Sequence, residues 1–394
     1  MSQPFGDLVE CLLNLVAQRM KQQMESMPGL PAGTEIRTAF AWILSFLAAS
    51  ISSAGGVGGG SLFLPILNLV LGLELKTAAT FSAFMVTGGS LSNVIFNIFS
   101  RNSNSSRTKS LIDYEIALLS QPCLLLGVSV GVLFNLMFPE WLITVLLASF
   151  LVFSTFKTCS AGLKRWKNES EEARRERASG DAEESGGEIE FATVGTPWGK
   201  VVILIIVWLS FFGVQVLLGG KNGQSFIHIR PCGVGYWLIT ASQIPLAIGI
   251  ETLPKVIFPI AALLSGILGG IFGIGGGLLI NPVLLQIGVP PQTTAATTCF
   301  MVLFSSLMSS VQYLILGMKG VIVALVYAML CFVGSILGLS IIQRIVLKSG
   351  RVSLIVFMVS IVMALSTVSI TCFGAIDVWR AYNAGKSMGF KLPC

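Results

Sequence analysis

Two glycine runs carry the most unusual chemistry in this 394-residue chain. Gly56-Val57-Gly58-Gly59-Gly60-Ser61-Leu62-Phe63-Leu64-Pro65 reappears as Gly273-Ile274-Gly275-Gly276-Gly277-Leu278-Leu279-Ile280-Asn281-Pro282, displaced by 273 minus 56, or 217, residues. The register then persists: Thr77-Ala78-Ala79-Thr80 meets Thr294-Ala295-Ala296-Thr297, and Ser92 and Val94 meet Ser309 and Val311. Each glycine costs a helix about 1 kcal/mol relative to alanine and opens backbone conformations closed to other residues, so each run predicts a helix break. Pro65 and Pro282 reinforce the interruption. A broken helix presents free N–H groups and a partial positive charge at the start of its second half, here Gly60 or Gly277. That chemistry favours an anion.

The candidate binding residues are therefore Gly56, Gly58, Gly59 and Gly60 with Thr77 and Thr80 in the first copy. In the second they are Gly273, Gly275, Gly276 and Gly277 with Asn281, Thr294 and Thr297. Two plainer readings compete. Glycines also let helices pack closely, although that calls for small residues every fourth position and not a consecutive run. The threonines also suit helix starts, where their hydroxyls cap backbone N–H groups. Hydroxyl-rich stretches at Thr87–Ser92 and Ser305–Ser310 fit either a polar path or small-residue packing.

Other chemistry is poorly represented. The single histidine, His228, sits in a polar connection with Lys221 and Arg230, and no metal-ligand cluster or nucleophile–base pair is apparent. No cofactor is expected, and an enzyme is not. Eight cysteines include no C-x-x-C pair; Cys123, Cys299, Cys331 and Cys372 fall in apolar spans as small hydrophobes. No Asp or Glu lies deep in an apolar span, Asp113 and Glu115 being the nearest, so a buried carboxylate relay is not visible. The basic charges sit in loops without an aromatic-interleaved stripe, which argues against nucleic acid.

The elements that must position the glycines are membrane helices. The chain is 54% hydrophobic and 11% charged, whereas a soluble domain carries roughly 25% charged residues. Apolar segments at 38–73, 77–98, 112–137, 141–161, 199–217, 235–250, 256–288, 294–317, 319–344 and 352–375 predict an all-α, polytopic transmembrane bundle. Two homologous repeats, 36–162 and 256–376, each open with a glycine-broken helix. Residues 1–35 form an N-terminal extension, 163–198 a charged, solvated linker, 199–255 connecting spans and 377–394 a tail. The repeats are parallel if every segment crosses once, and inverted if both broken segments dip in and return. The 36-residue length of 38–73 favours the inverted arrangement, since one helix of that length would measure ~54 Å against a core of ~30 Å.

The paired glycine motifs, the Thr-Ala-Ala-Thr segments and the ending Met388-Gly-Phe-Lys-Leu-Pro-Cys394 resemble the sulfite exporter TauE/SafE family, in its plant form. The resemblance covers roughly residues 36–394. It implies a multi-pass permease for a small anion, sulfite or a sulfur-containing organic anion, with the duplicated motifs at the transport site; the paired broken helices add the expectation of export by alternating access. The alternatives are a non-transporting scaffold or trafficking protein on the same fold, and a passive anion channel.

Overall fold

The computed structural model describes residues 34–53, 59–99, 112–179, 198–218, 257–349 and 353–383, with the isolated Gln18 and Gly389. Gly56, Gly58, His228, most of the N-terminal extension and the 235–250 segment lie outside these residues. The described chain consists of helices α1 (Thr34–Ser53), α2 (Gly60–Pro65, running into a π-helical turn, Ile66–Val70), α3 (Leu75–Phe99), α4 (Tyr114–Met137), α5 (Glu140–Ser179) and α6 (Trp198–Leu218). It continues with α7 (Ile257–Phe272), α8 (Gly277–Gln286), α9 (Pro291–Ile315), α10 (Val321–Ser349) and α11 (Ser353–Asn383).

Among the described residues, seven helices are long and apolar enough to cross a membrane. Their surface pattern is that of a protein solvated by lipid. On α10, Leu325, Met329, Val333, Leu337 and Ile341 form an exposed stripe at four-residue spacing, while Ser335 is buried. The buried polar side chains of the helices are mostly Ser, Thr, Asn and Gln, and none in the described residues carries a charge. Cys123, Cys299 and Cys331 are buried, whereas Cys372 is exposed on α11.

Both predicted breaks are present. α1 ends at Ser53 and a new helix starts at Gly60; α7 ends at Phe272 and α8 starts at Gly277. Both second pieces run through their proline, Pro65 or Pro282, and stop just before a glycine of positive φ, Gly72 or Gly288. The stretch 164–179, expected to be solvated linker, instead continues α5 as helix. Its Glu, Arg, Lys and Ala residues are strong helix formers, and Glu171 stands four residues before Arg175, so the helix persists without an apolar face.

Helix packing exchanges partners between the two halves. α1 lies on α10 and α7 on α4; α2 meets α11 and α8 meets α5; α3 packs on α9, and α5 on α11. The α4–α7 contact is very close. Carbonyl oxygens of Leu263 and Ile267 stand where a Cβ on Gly127 or Gly131 would be, and Leu124 and Val128 carbonyls do the same at Gly266 and Gly270. Gly334 and Gly338 on α10 meet the backbone of Phe46 and Ser50 on α1 in the same manner. In lipid, where burying apolar surface gives little drive, such contacts supply association through dispersion and Cα–H···O bonds worth about 0.5–1 kcal/mol each.

Helices at equivalent places in the 217-residue register run antiparallel. On α3 and α9, Asn93 bonds Cys299 while Thr87 lies 3.2 Å from Ser310. α5 and α11 likewise pair Thr155 with Thr367 and Trp166 with Phe357. The starts of α4, α6 and α9 gather at one end, where Asp113 N–H donates to Thr297 Oγ1 at 2.9 Å and Lys200 pairs with Glu115 at 2.6 Å. At the other end Lys76 Nζ donates to the Leu136 carbonyl, 2.9 Å away, capping α4.

This arrangement fixes sidedness. In a variant stripped of native cysteines, membrane-impermeant maleimide should label Asn104→Cys and Asn168→Cys from one side and Lys319→Cys from the other. Labelling of Lys319→Cys from the same side as Asn168→Cys would contradict the order of crossings.

Candidate functional site

The two breaks have the same backbone geometry. Gly59 caps α2 at φ 78°, ψ −7°, and Gly276 caps α8 at φ 73°, ψ −9°. These left-handed values suit glycine, and the positions are equivalent in the 217-residue register. A Cβ on Gly59 would stand 2.6 Å from the Phe63 ring and 2.7 Å from Ser52 Oγ. Space and backbone angle therefore both select glycine there.

The breaks also touch each other. A Cβ on Gly60 would lie 2.5 Å from Cα of Ile274, so the first motif packs on the second. The second break is held between α3 and α9: Gly273 meets the Ala79 carbonyl, and Gly275 packs on Val86 and Val302. Ala79 belongs to the Thr-Ala-Ala-Thr segment of the first half, which thus braces the glycine run of the second.

A helix break at this depth must find partners for its carbonyls, and here the protein provides them. Ser305 Oγ donates to Gly275 O at 2.7 Å and Ser265 Oγ to Gly276 O. Upstream, Asn135 Nδ2 donates to Ile271 O at 2.6 Å, Tyr313 OH to Gly270 O at 3.0 Å, and Ile274 N to Gly269 O at 3.1 Å. Five successive or nearly successive acceptors are thereby satisfied by donors from α4, α7 and α9 and from the break itself. The N–H groups of the first turn of α8, by contrast, have no acceptor within their own helix, as helix geometry requires. What the break can still offer is donors.

The other candidate residues are distributed more widely. Thr80 donates its hydroxyl proton to Lys76 O at 2.9 Å and Thr294 to Val289 O at 3.3 Å, while Thr297 accepts from Asp113 N–H. Thr77 lies half-buried in the first turn of α3. The two Thr-Ala-Ala-Thr segments stand toward opposite ends of α4, where Lys76 reaches the Leu136 carbonyl and Thr297 accepts from Asp113, and the first of them borders the second glycine run through Ala79. Asn281 is buried on α8. Sequence reasoning missed Ser265, Asn135 and Tyr313 and marked Ser305 only as part of a hydroxyl-rich stretch, because a side chain that satisfies a distant carbonyl leaves no local pattern. The close-packing glycines did leave one: Gly127 and Gly131, Gly266 and Gly270, and Gly334 and Gly338 are each four apart.

Removing a donor orphans a buried carbonyl, at a cost of about 1–3 kcal/mol. Asn135→Leu and Tyr313→Phe should each lower the unfolding temperature of the purified protein. Stability equal to the parent in both would show that these carbonyls have other partners.

Comparison with known proteins fits this architecture. The family described as "Sulfite exporter TauE/SafE" matches residues 11–158 and 41–367. Sulfite exporter TauE/SafE family protein 5 of Arabidopsis thaliana is 50% identical over 90% of this chain and 87% of its own length. Family protein 2 of the same plant is 49% identical over 91% of this chain and 87% of its own. The probable membrane transporter protein YunE of Bacillus subtilis (strain 168) is 35% identical over 22% of this chain and 33% of its own. No solved structure matches. The long apolar helices, the twin glycine breaks and this similarity lead to one assignment: the chain is a multi-pass membrane transporter belonging to the sulfite exporter TauE/SafE family.

Proposed function

We propose that the protein exports a small anion, sulfite or a sulfur-containing organic anion, by alternating access, with backbone N–H groups around Gly59–Gly60 and Gly275–Gly277 as its binding groups. The observation that carries this reading is the asymmetry of the second break. Its carbonyls at Gly275 and Gly276 already accept from Ser305 and Ser265. Carbonyls already engaged by hydroxyls are less available to a cation, whereas an anion needs only the first-turn amides and the positive end of α8. The names of the plant relatives, which specify sulfite export, point to the same charge. Thr80 and Thr294 donate their hydroxyl protons to backbone carbonyls near the starts of α3 and α9 in this scheme.

Alternating access requires two arrangements of similar energy. The antiparallel course of α3 against α9 and of α5 against α11 suits two inverted repeats, whose exchange of conformations turns one outward state into the matching inward one. The closely packed α1–α10 and α4–α7 pairs are rigid units for such rocking, because their glycine contacts leave no space for internal adjustment.

Proteoliposomes containing the purified chain should take up labelled sulfite with saturation and counterflow. Gly59→Val with Gly276→Val should reduce uptake at least tenfold while leaving the protein monodisperse, given the ~1–2 kcal/mol penalty for left-handed backbone at each site. Intact uptake in that variant would remove the assigned site. Anion current without saturation would indicate a channel, and absence of any flux a scaffold.

A further inference from the structure

Lys76 places a cation in the first turn of α3, at the edge of a membrane span. Its side chain is half-buried, and its Nζ donates to the Leu136 carbonyl at the end of α4 over 2.9 Å. A neutral donor could cap α4 as well, and charge at the margin of the hydrocarbon layer is costly, so the charge itself asks for an explanation.

Two neighbouring contacts set that charge beside the second glycine break. On α3, the Ala79 carbonyl fills the place of a Cβ on Gly273. Ala79 follows Lys76 by three residues, or ~4.5 Å of helix rise. On α4, Asn135 precedes Leu136, and its Nδ2 donates at 2.6 Å to the carbonyl of Ile271, two residues before Gly273. Each helix thus touches the stretch Ile271–Gly273 through one residue and holds the ammonium through a near neighbour. From there the glycine run leads inward: Gly273 meets Ala79, and Gly275 packs on Val86, about two turns farther along α3. Lys76 therefore stands at the mouth and the candidate amides lie behind it. The carboxylates of Glu74 and Glu140 at this end are exposed, where water screens them more strongly than the half-buried lysine.

We propose that Lys76 loads the transported anion onto the second break, attracting it at the end of the bundle where α3 starts and passing it to the amides at Gly275–Gly277; this rests on the reading of the chain as an anion transporter. A carbonyl partner leaves the unit charge of the ammonium intact, so capping α4 and drawing an anion are compatible tasks. Partial burial makes the attraction stronger than that of a lysine in open water. The device is not duplicated. The 217-residue register carries position 76 to 293, which is Thr293 and neutral. This contribution to anion binding therefore acts from one end only.

Sulfite uptake by the full-length protein in proteoliposomes tests this with two variants. Lys76→Gln keeps a donor for Leu136 and removes the charge, whereas Lys76→Arg keeps both. Lys76→Gln should raise the KM about tenfold with kcat nearly unchanged, as loss of ground-state attraction does, and should flatten the rise of KM with ionic strength expected of the parent. Lys76→Arg should restore the parent KM. The unfolding temperatures of both variants without sulfite should match the parent's. A KM unchanged in Lys76→Gln, or raised equally in both variants together with a lower unfolding temperature, would show that the lysine only caps α4 and would overturn the proposal. Either result beside a parent that transports sulfite leaves the anion reading standing. A parent with neither saturable sulfite uptake nor a sulfite-induced thermal shift overturns both.

Discussion

Backbone amides and carbonyls inside a hydrocarbon layer must be satisfied by the protein itself, and the rest of this structure follows from that requirement. An unbroken helix meets it automatically. A helix broken by consecutive glycines does not, and the chain makes up the difference with side chains from two other helices and from the first half of the broken helix itself. Asn135 of α4, Ser265 of α7, and Ser305 and Tyr313 of α9 each point a donor at a carbonyl in or just before the second break. Every one of these additions is a donor. The carbonyls of Gly270, Ile271, Gly275 and Gly276 are thereby occupied, and this asymmetry is what supports the proposal that the break receives negative charge.

Close packing serves the same end. The donors can reach the break only because α4 and α7 approach within the reach of Gly127, Gly131, Gly266 and Gly270, where any side chain would collide with a carbonyl. The first break is tied in by Gly60, which admits Ile274 of the second. Glycine thus plays three parts in one molecule: left-handed backbone at Gly59 and Gly276, motif-to-motif contact at Gly60, and helix-to-helix contact on α4, α7 and α10. Because partners are exchanged between the halves, each break is packed against helices of the other half, an arrangement consistent with the alternating access proposed above.

Much of this was legible in the sequence, for identifiable reasons. Lipid imposes long apolar runs, so the span read at 256–288 contains α7 and α8, and the span at 77–98 falls within α3. Glycine has few other uses in a membrane helix in consecutive runs, so both breaks fell where the motifs lie. The charged stretch after residue 163 reads as solvated because it has no apolar periodicity, and that pattern does not reveal that α5 continues through it to Ser179 on intrinsic propensity. The threonines were ambiguous for a sound reason: a capping hydroxyl and a ligand hydroxyl have the same local sequence, and only coordinates show Thr80 and Thr294 donating to their own helix starts. The side chains that satisfy the carbonyls lie between 11 and 136 positions from them, at no repeating interval, so no periodicity marks them.

The most direct test is a cryo-electron microscopy map of the protein frozen with saturating sulfite. The account places a density the size of a tetrahedral or pyramidal oxyanion within hydrogen-bonding distance of the amides at Gly276–Gly277 or Gly59–Gly60, with Ser265 and Ser305 still donating to the carbonyls behind it. Amides at both breaks bonded to protein carbonyls, with the anion bound elsewhere, would contradict it.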